Sequence, residues 1–126
     1  MIKKFLYISM LFFVSTNLFA KSEYVKQGID LYGKQKFEDA KFKFEQGIVY
    51  NPKSELSYLY LSKIFNKQDK KNLEEKNLNT VILLNPKNEE AIYNLAILKL
   101  KSSDYKKSNE LNLSLIHISE PTRLSG

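Results

Sequence analysis

Between residues 23 and 101 the apolar side chains recur at intervals of three and four, the period of an α-helix with one buried face. Tyr24, Ile29, Leu31 and Tyr32 predict a helix over residues 23–35, closed by the polar turn Lys34-Gln35-Lys36. Ala40, Phe44, Ile48 and Tyr50 predict a second over residues 38–50. Asn51-Pro52 stops it, because proline has no N–H to donate and its ring clashes with the preceding turn. Ser54 is placed to cap the helix that follows. Leu56, Leu59, Tyr60, Ile64 and Phe65 predict a third helix over residues 55–67. Leu73, Leu78, Val81, Ile82 and Leu84 predict a fourth over residues 71–84. Asn88 is placed to cap a fifth, from residue 89 to residue 101, with Ala91, Leu95, Ala96 and Leu98 inside it, and a sixth starts near Asp104. No window alternates with the two-residue period of a strand, so the fold class is all-α.

The helices repeat. Asn51-Pro52-Lys53 recurs as Asn85-Pro86-Lys87, and the spacing between these two tripeptides relates other positions as well. At the same offset Gly28 becomes Ser62 and then Ala96, three small residues, while Tyr24 becomes Tyr58 and then Ile92. Phe44 becomes Leu78, and Ile48 becomes Ile82. A helix hairpin accounts for such a pattern: small residues let two helices cross closely, large apolar ones fill the spaces beside the crossing, and proline ends the unit.

This pattern resembles the tetratricopeptide repeat family. The first unit carries Tyr24, Gly28, Phe37, Ala40, Phe44, Gly47 and Pro52 where that family places its signature aromatics, small residues and closing proline. The second keeps Tyr58, Leu61, Ser62, Phe65, Leu78 and Pro86 but has Glu74 where the family wants alanine, and a carboxylate there is expected to loosen the crossing or turn outward. The third keeps Leu95, Ala96, Tyr105 and Ser108. The resemblance implies a right-handed solenoid of antiparallel helix hairpins, about two and a half units, over residues 22–54, 55–88 and an incomplete 89–112.

The two ends read differently. Residues 1–20 open with Lys3 and Lys4, continue through an apolar run over residues 5–14 and end in Leu18-Phe19-Ala20, the layout of a secretory signal peptide. The apolar run is half the roughly 20 residues that a spanning helix needs. The expectation is therefore a cleaved leader and a periplasmic or secreted protein; the alternative is an uncleaved membrane anchor. Residues 113–123, LSLIHISEPTR, resemble the translated read-through of a transposase-based sequencing adapter, whose codons specify these residues in order. Residues 113–126 are accordingly expected to be non-native, with the natural sequence continuing beyond Asn112 in a longer protein.

Composition narrows the chemistry. A hydrophobic content of 43% with 27% charged residues suits a folded helical protein rather than a disordered one. The absence of Cys excludes disulfides and thiolate metal sites. The net charge is +6, of which Lys3 and Lys4 contribute two, and the excess that remains argues only weakly for an anionic partner. The acidic pairs Glu38-Asp39, Glu74-Glu75 and Glu89-Glu90 suggest acid–base work at first sight. Each falls in the first turn of a predicted helix, where the macrodipole favours negative charge, and that bland explanation is preferred. Lys67-Gln68-Asp69-Lys70-Lys71 reads as a solvated turn, not a nucleic-acid site, and the aromatics read as core. His117, the sole histidine, has no Cys or His partner for a metal. No phosphate loop, zinc-helix motif or nucleophile elbow occurs. No enzyme activity, cofactor or metal is expected.

What remains is binding. The resemblance implies a concave face, lined by the first helix of each unit, that holds an extended peptide or another protein. The inward candidates are Val25, Ile29 and Tyr32, then Leu59, Lys63 and Asn66, then Tyr93, Ile97 and Leu100. Of these Ile29, Tyr32, Leu59, Lys63, Tyr93 and Ile97 are the expected partner-binding set. The family's clamp for C-terminal carboxylates needs a lysine and an asparagine where this chain has Val25 and Ile29, which argues against a chaperone-tail adaptor. With the leader, the expected role is an exported interaction scaffold in the assembly of a cell-envelope complex. The alternative is the targeting region of a larger envelope enzyme. Neither the partner nor the oligomeric state is written in the residues.

Overall fold

The computed structural model describes residues 2–118, with side chains described for all of these except residues 9–22, 108 and 111–118. Five helices and no strand occur among the described residues: α1 (Ile2–Gly33), α2 (Phe37–Tyr50), α3 (Glu55–Lys67), α4 (Lys71–Leu84) and α5 (Glu89–Ile118). The middle three begin and end within a residue of the spans that periodicity predicts. Helix α1 packs along α2 and α3 along α4 to the same extent, while α2 on α3 and α4 on α5 touch less, so the chain is a series of paired helices.

Two kinds of turn alternate, and each recurs in near-identical form. Between α1 and α2, Gln35 adopts the left-handed conformation (φ 61°), and the Lys36 N–H donates to Leu31 O at 2.9 Å. Between α3 and α4, Asp69 does the same (φ 53°), and the Lys70 N–H donates to Phe65 O at 2.9 Å. This is the Schellman closure, in which one left-handed residue lets a later N–H reach back past the last turn to an orphan carbonyl. The other turn is built on Asn-Pro. The side chains of Asn51 and Asn85 accept from the Lys53 and Lys87 N–H groups at 3.4 and 3.1 Å. Ser54 and Asn88 then cap the next helix: Ser54 Oγ accepts from the Ser57 N–H at 3.4 Å, and Asn88 Oδ1 from the Ala91 N–H at 2.8 Å. Glu55 Oε1 accepts from the Asn85 side chain at 2.9 Å and also from that of Asn88, tying the start of α3 to the turn before α5.

The core has two centres. Ala40, Phe44, Leu61, Ile64 and Phe65 form one, where α3 closes over the α1–α2 pair. Leu59, Leu78, Val81, Ala91 and Leu98 form the other, where α5 closes over α3–α4. Several positions named by periodicity lie outside both: Tyr50, Leu56 and Leu73 are exposed.

Helix crossings are matched by exchanges of volume between the units. A Cβ on Gly28 would stand 2.7 Å from a ring carbon of Phe44; one repeat on, the pair is Ser62 and the smaller Leu78. A Cβ on Gly47 would stand 3.1 Å from Ser57 Oγ; its counterpart pair is Val81 and Ala91.

Three expectations are corrected. The first helix does not start at residue 23, because α1 runs unbroken from Ile2. Whether residues 1–20 are a leader turns largely on residues whose side chains lie outside the described ones. The sixth helix near Asp104 is absent, because α5 continues through Ser102-Ser103-Asp104 to Ile118. No residue there has turned left-handed as Gln35 and Asp69 do, and continuing the helix satisfies each backbone group without a folded-back partner. Tyr105 is therefore 72% exposed, and Ala96, the small residue of the third unit, is exposed too. Finally, Glu74 neither turns outward nor loosens its pair. It is 5% exposed, and its Oε1 accepts from the Asn66 side chain at 3.0 Å. The foreign-tail expectation falls partly on residues 119–126, outside those described. Among the described residues no helix is long and apolar enough to cross a membrane.

Candidate functional site

Where α5 leaves the α3–α4 pair, the structure holds a partly open cavity of about 390 Å³. Helix α3 contributes Ser62, Lys63, Asn66 and Lys67; α5 contributes Glu90, Tyr93, Asn94, Ile97, Leu98 and Lys101; Glu74 comes from α4, and Tyr32 from α1. Helical periodicity places these side chains on one side of α3 and of α5, since residues three and four apart share a face.

Of the six residues expected to bind a partner, four line this cavity: Tyr32, Lys63, Tyr93 and Ile97. The other two, Leu59 and the half-buried Ile29, do not line it. Leu59 is 4% exposed in the second cluster, and Ile29 packs against the first. Tyr93 is the most open aromatic of the wall, at 66% exposure. Tyr32 is half-buried, its ring edge-on to Phe37 (5.4 Å between centroids) and to Tyr60 (5.2 Å). Burial pushes the Tyr32 phenol above its ordinary value near 10, while the nearby Lys63 ammonium pulls it back. Lys63 is engaged twice, at 2.5 Å from Glu90 and 4.7 Å from the centre of the Tyr60 ring.

The sequence did not single out Glu90, Asn94, Lys67, Lys101 or Glu74 as site residues. Glu90 does lie in the first turn of α5, as the macrodipole argument requires, but it also holds Lys63. The repeat counterpart of Lys63 is Ile97, and Glu90 precedes Ile97 by about two helical turns. That relation points to a pair only once the slant between α3 and α5 is known. The sequence places Lys67 in a solvated turn. It is exposed, stands over the Phe37 ring at 5.2 Å and still lines the cavity.

The repeat itself explains why there is a cavity here. In the first unit Tyr32, Phe37 and Tyr60 fill the space beside Ala40 with aromatic rings, and Tyr60 stacks on Phe44 at 5.1 Å. Shifted by one repeat, those positions are Asn66, Lys71, Asn94 and Glu74. In the second unit three rings are thus replaced by shorter or solvent-seeking side chains and a methyl by a carboxylate. Asn66, Asn94 and Glu74 all face the resulting space.

Among the described residues no group of three or more His, Cys, Asp or Glu side chains is placed to hold a metal ion. The cavity offers amides, a serine, one ion pair, a buried carboxylate, two exposed lysines, two tyrosines and two aliphatic side chains, a set able to meet a polypeptide by shape, charge and hydrogen bonding. Comparison with known proteins finds no family model that matches the chain and no curated protein that matches it.

Proposed function

We propose that this chain is a protein–protein interaction scaffold of the tetratricopeptide kind, a short solenoid whose inner face holds an extended peptide or a partner's helix. The observation that carries the proposal is the meeting of Tyr32, Lys63, Tyr93 and Ile97, drawn from three helices, around one partly open cavity. The recurrence of both turn types at the spacing of the sequence repeat supports the repeat architecture. Tyrosine suits such a site because it offers a large apolar face and a polar tip at modest entropy cost. The Asn94 amide makes no hydrogen bond among the described residues and is available to a peptide backbone, which carries one donor and one acceptor per residue. The leader-like residues 1–20 point the scaffold to the cell envelope, where it would assemble a complex.

Photo-crosslinking tests this. A benzophenone side chain replaces Tyr93 on the cavity wall or, in a second version, Phe42, which is 57% exposed on α2 and away from the cavity. The expected outcome is a discrete crosslinked partner from position 93 and none from position 42. Crosslinks from 42 alone would move the binding surface to the outer helices and overturn the proposal.

A further inference from the structure

We infer that the cavity between α3, α4 and α5 receives a cationic head, a guanidinium or alkylammonium on a side chain of the bound partner, with Glu74 as its counter-charge. This rests on the inner face being the binding face and adds what the occupant must carry. Glu74 is 5% exposed and lines the cavity. Its Oε1 accepts from Asn66; among the described residues Oε2 has no hydrogen bond, and it is not sealed off from solvent-sized space. No cation lies within 4.0 Å of it among the described residues: Lys63 is held by Glu90, Lys99 by Glu75, and Lys67 stands over the Phe37 ring. A carboxylate taken out of water without a cation is costly, and one supplied by a ligand repays that cost.

The place of Glu74 in the first turn of α4 explains how it tolerates the unbound state, since the helix N-terminus favours a carboxylate there. The remaining walls fit a cation as well. Asn66 and Asn94 supply carbonyl oxygens at the positions where the first unit has rings, and Tyr93 and Tyr32 supply aromatic rings to the lining. Lys63, Lys67 and Lys101 also line the cavity and oppose a second positive charge. Lys63 is neutralised by Glu90, whereas Lys67 and Lys101 are exposed, and water screens exposed charges far more than a buried one. The buried carboxylate therefore sets the sign at the floor, and the exposed lysines favour acidic residues flanking the cationic one.

The test is a titration of the full isotope-labelled chain, followed by NMR, with acetyl-Leu-Arg-Leu-amide and with its citrulline and glutamate counterparts. The arginine peptide is expected to bind and to shift the side-chain amide signals of Asn66 and Asn94. Glu74→Gln is expected to weaken it by roughly tenfold or more, the scale of a hydrogen bond to a charged group, and to leave the citrulline peptide unchanged. If Glu74→Gln loses helicity, Glu74→Ala, which restores the residue of the first unit, takes its place. Arginine binding indifferent to residue 74, or tighter binding of the glutamate peptide, overturns the inference. If Tyr93→Ala weakens all three peptides in that case, the binding face stands and only its charge preference falls. If none of the peptides binds, the inference is overturned, and crosslinking from position 93 decides separately on the face itself.

Discussion

Of the described glycines Gly28 makes the closest approach to another helix, against the Phe44 ring, and substituting the pair tests the register directly. In Gly28→Ala the added methyl carbon would lie 2.7 Å from Phe44 Cε1 and 2.9 Å from both Cδ1 and Cζ. The ring has no exposure and stacks on Tyr60, so it cannot swing aside, and α1 must move off α2. Overpacking of this kind costs roughly 1–3 kcal/mol, and contact with three ring carbons argues for the upper end. Replacing a mid-helix glycine by alanine returns about 1 kcal/mol of helix propensity. The net expectation is a destabilisation of about 2 kcal/mol. Phe44→Leu alone leaves a cavity and costs about 1–2 kcal/mol, less than the full truncation to alanine. The second unit already contains the small-residue-plus-leucine solution in Ser62 and Leu78. Gly28→Ala made in the Phe44→Leu background should then be neutral or stabilising, and the pair should couple by roughly 2–3 kcal/mol. Urea unfolding followed by circular dichroism of the four proteins closes the cycle. Equal costs of Gly28→Ala in both backgrounds would refute the crossing, and with it the alignment of the two units.

Three further expectations follow from the turns and the site. Gln35→Gly should raise stability by about 0.5–1 kcal/mol in urea unfolding, because glycine adopts the left-handed conformation without steric cost, and Asp69→Gly should gain less, because Asp tolerates that region better. A loss on Gln35→Gly would mean that the left-handed turn is not there. Asn88→Ala should cost about 1 kcal/mol by removing the cap of α5, with faster amide exchange confined to the first turn of that helix. The Tyr32 phenol should ionise above the ordinary tyrosine value near 10, because burial disfavours its charged form. Its folded value lies above the unfolded one, so the stability it contributes is complete below pH 10 and is lost as pH rises through the folded value. Ultraviolet titration of wild type against Tyr32→Phe should show loss of a late-titrating component, and loss of an ordinary one would refute the burial.

Helices α2, α3 and α4 were legible because their signals are local. Apolar side chains at helical spacing, Asn-Pro stops and the capping residues Ser54 and Asn88 act within a few positions of one another. The turn at residues 34–36 was legible as polar, but Gln35 is not a residue type that announces a left-handed backbone, and only the recurrence of the same bond at Lys70 makes it plain. The extents of α1 and α5 were not legible. A helix ends where another element competes for its backbone or buries its flank, and neither condition is written at Lys21 or Ser103. The site was half legible. Repeat spacing put Tyr32, Lys63, Tyr93 and Ile97 on one wall, yet it also nominated Leu59 and Ile29, whose burial depends on how far α3 and α5 lean over the preceding pair. Glu74 stood out as a departure from the repeat, but its destination depends on the amide of Asn66 in the preceding helix.

That departure leads to the last prediction. If the cavity is the aromatic pocket of the first unit with its rings removed, putting them back should fill it. The change is Asn66→Tyr, Lys71→Phe and Asn94→Tyr, together with Glu74→Ala, which copies Tyr32, Phe37, Tyr60 and Ala40 into the second unit. Each restored ring would be about half buried, as Tyr32, Phe37 and Tyr60 are in the first unit, and so contributes on the order of 1 kcal/mol from burial. Edge-on ring pairs like those in the first unit add about 0.5–1.5 kcal/mol each. Together these terms give roughly 4–6 kcal/mol, and ordering three new side chains offsets part of that; removing the buried carboxylate also removes its desolvation cost, so the fourfold variant should be more stable than wild type by at least about 3 kcal/mol in urea unfolding. It should also lose partner crosslinking from position 93, because the cavity is then occupied from within. Greater stability with crosslinking retained would place the partner on the rim of the cavity. Lower stability would mean that the second unit does not reproduce the backbone of the first around this space, and the correspondence of Asn66, Asn94 and Glu74 with Tyr32, Tyr60 and Ala40 would have to be abandoned.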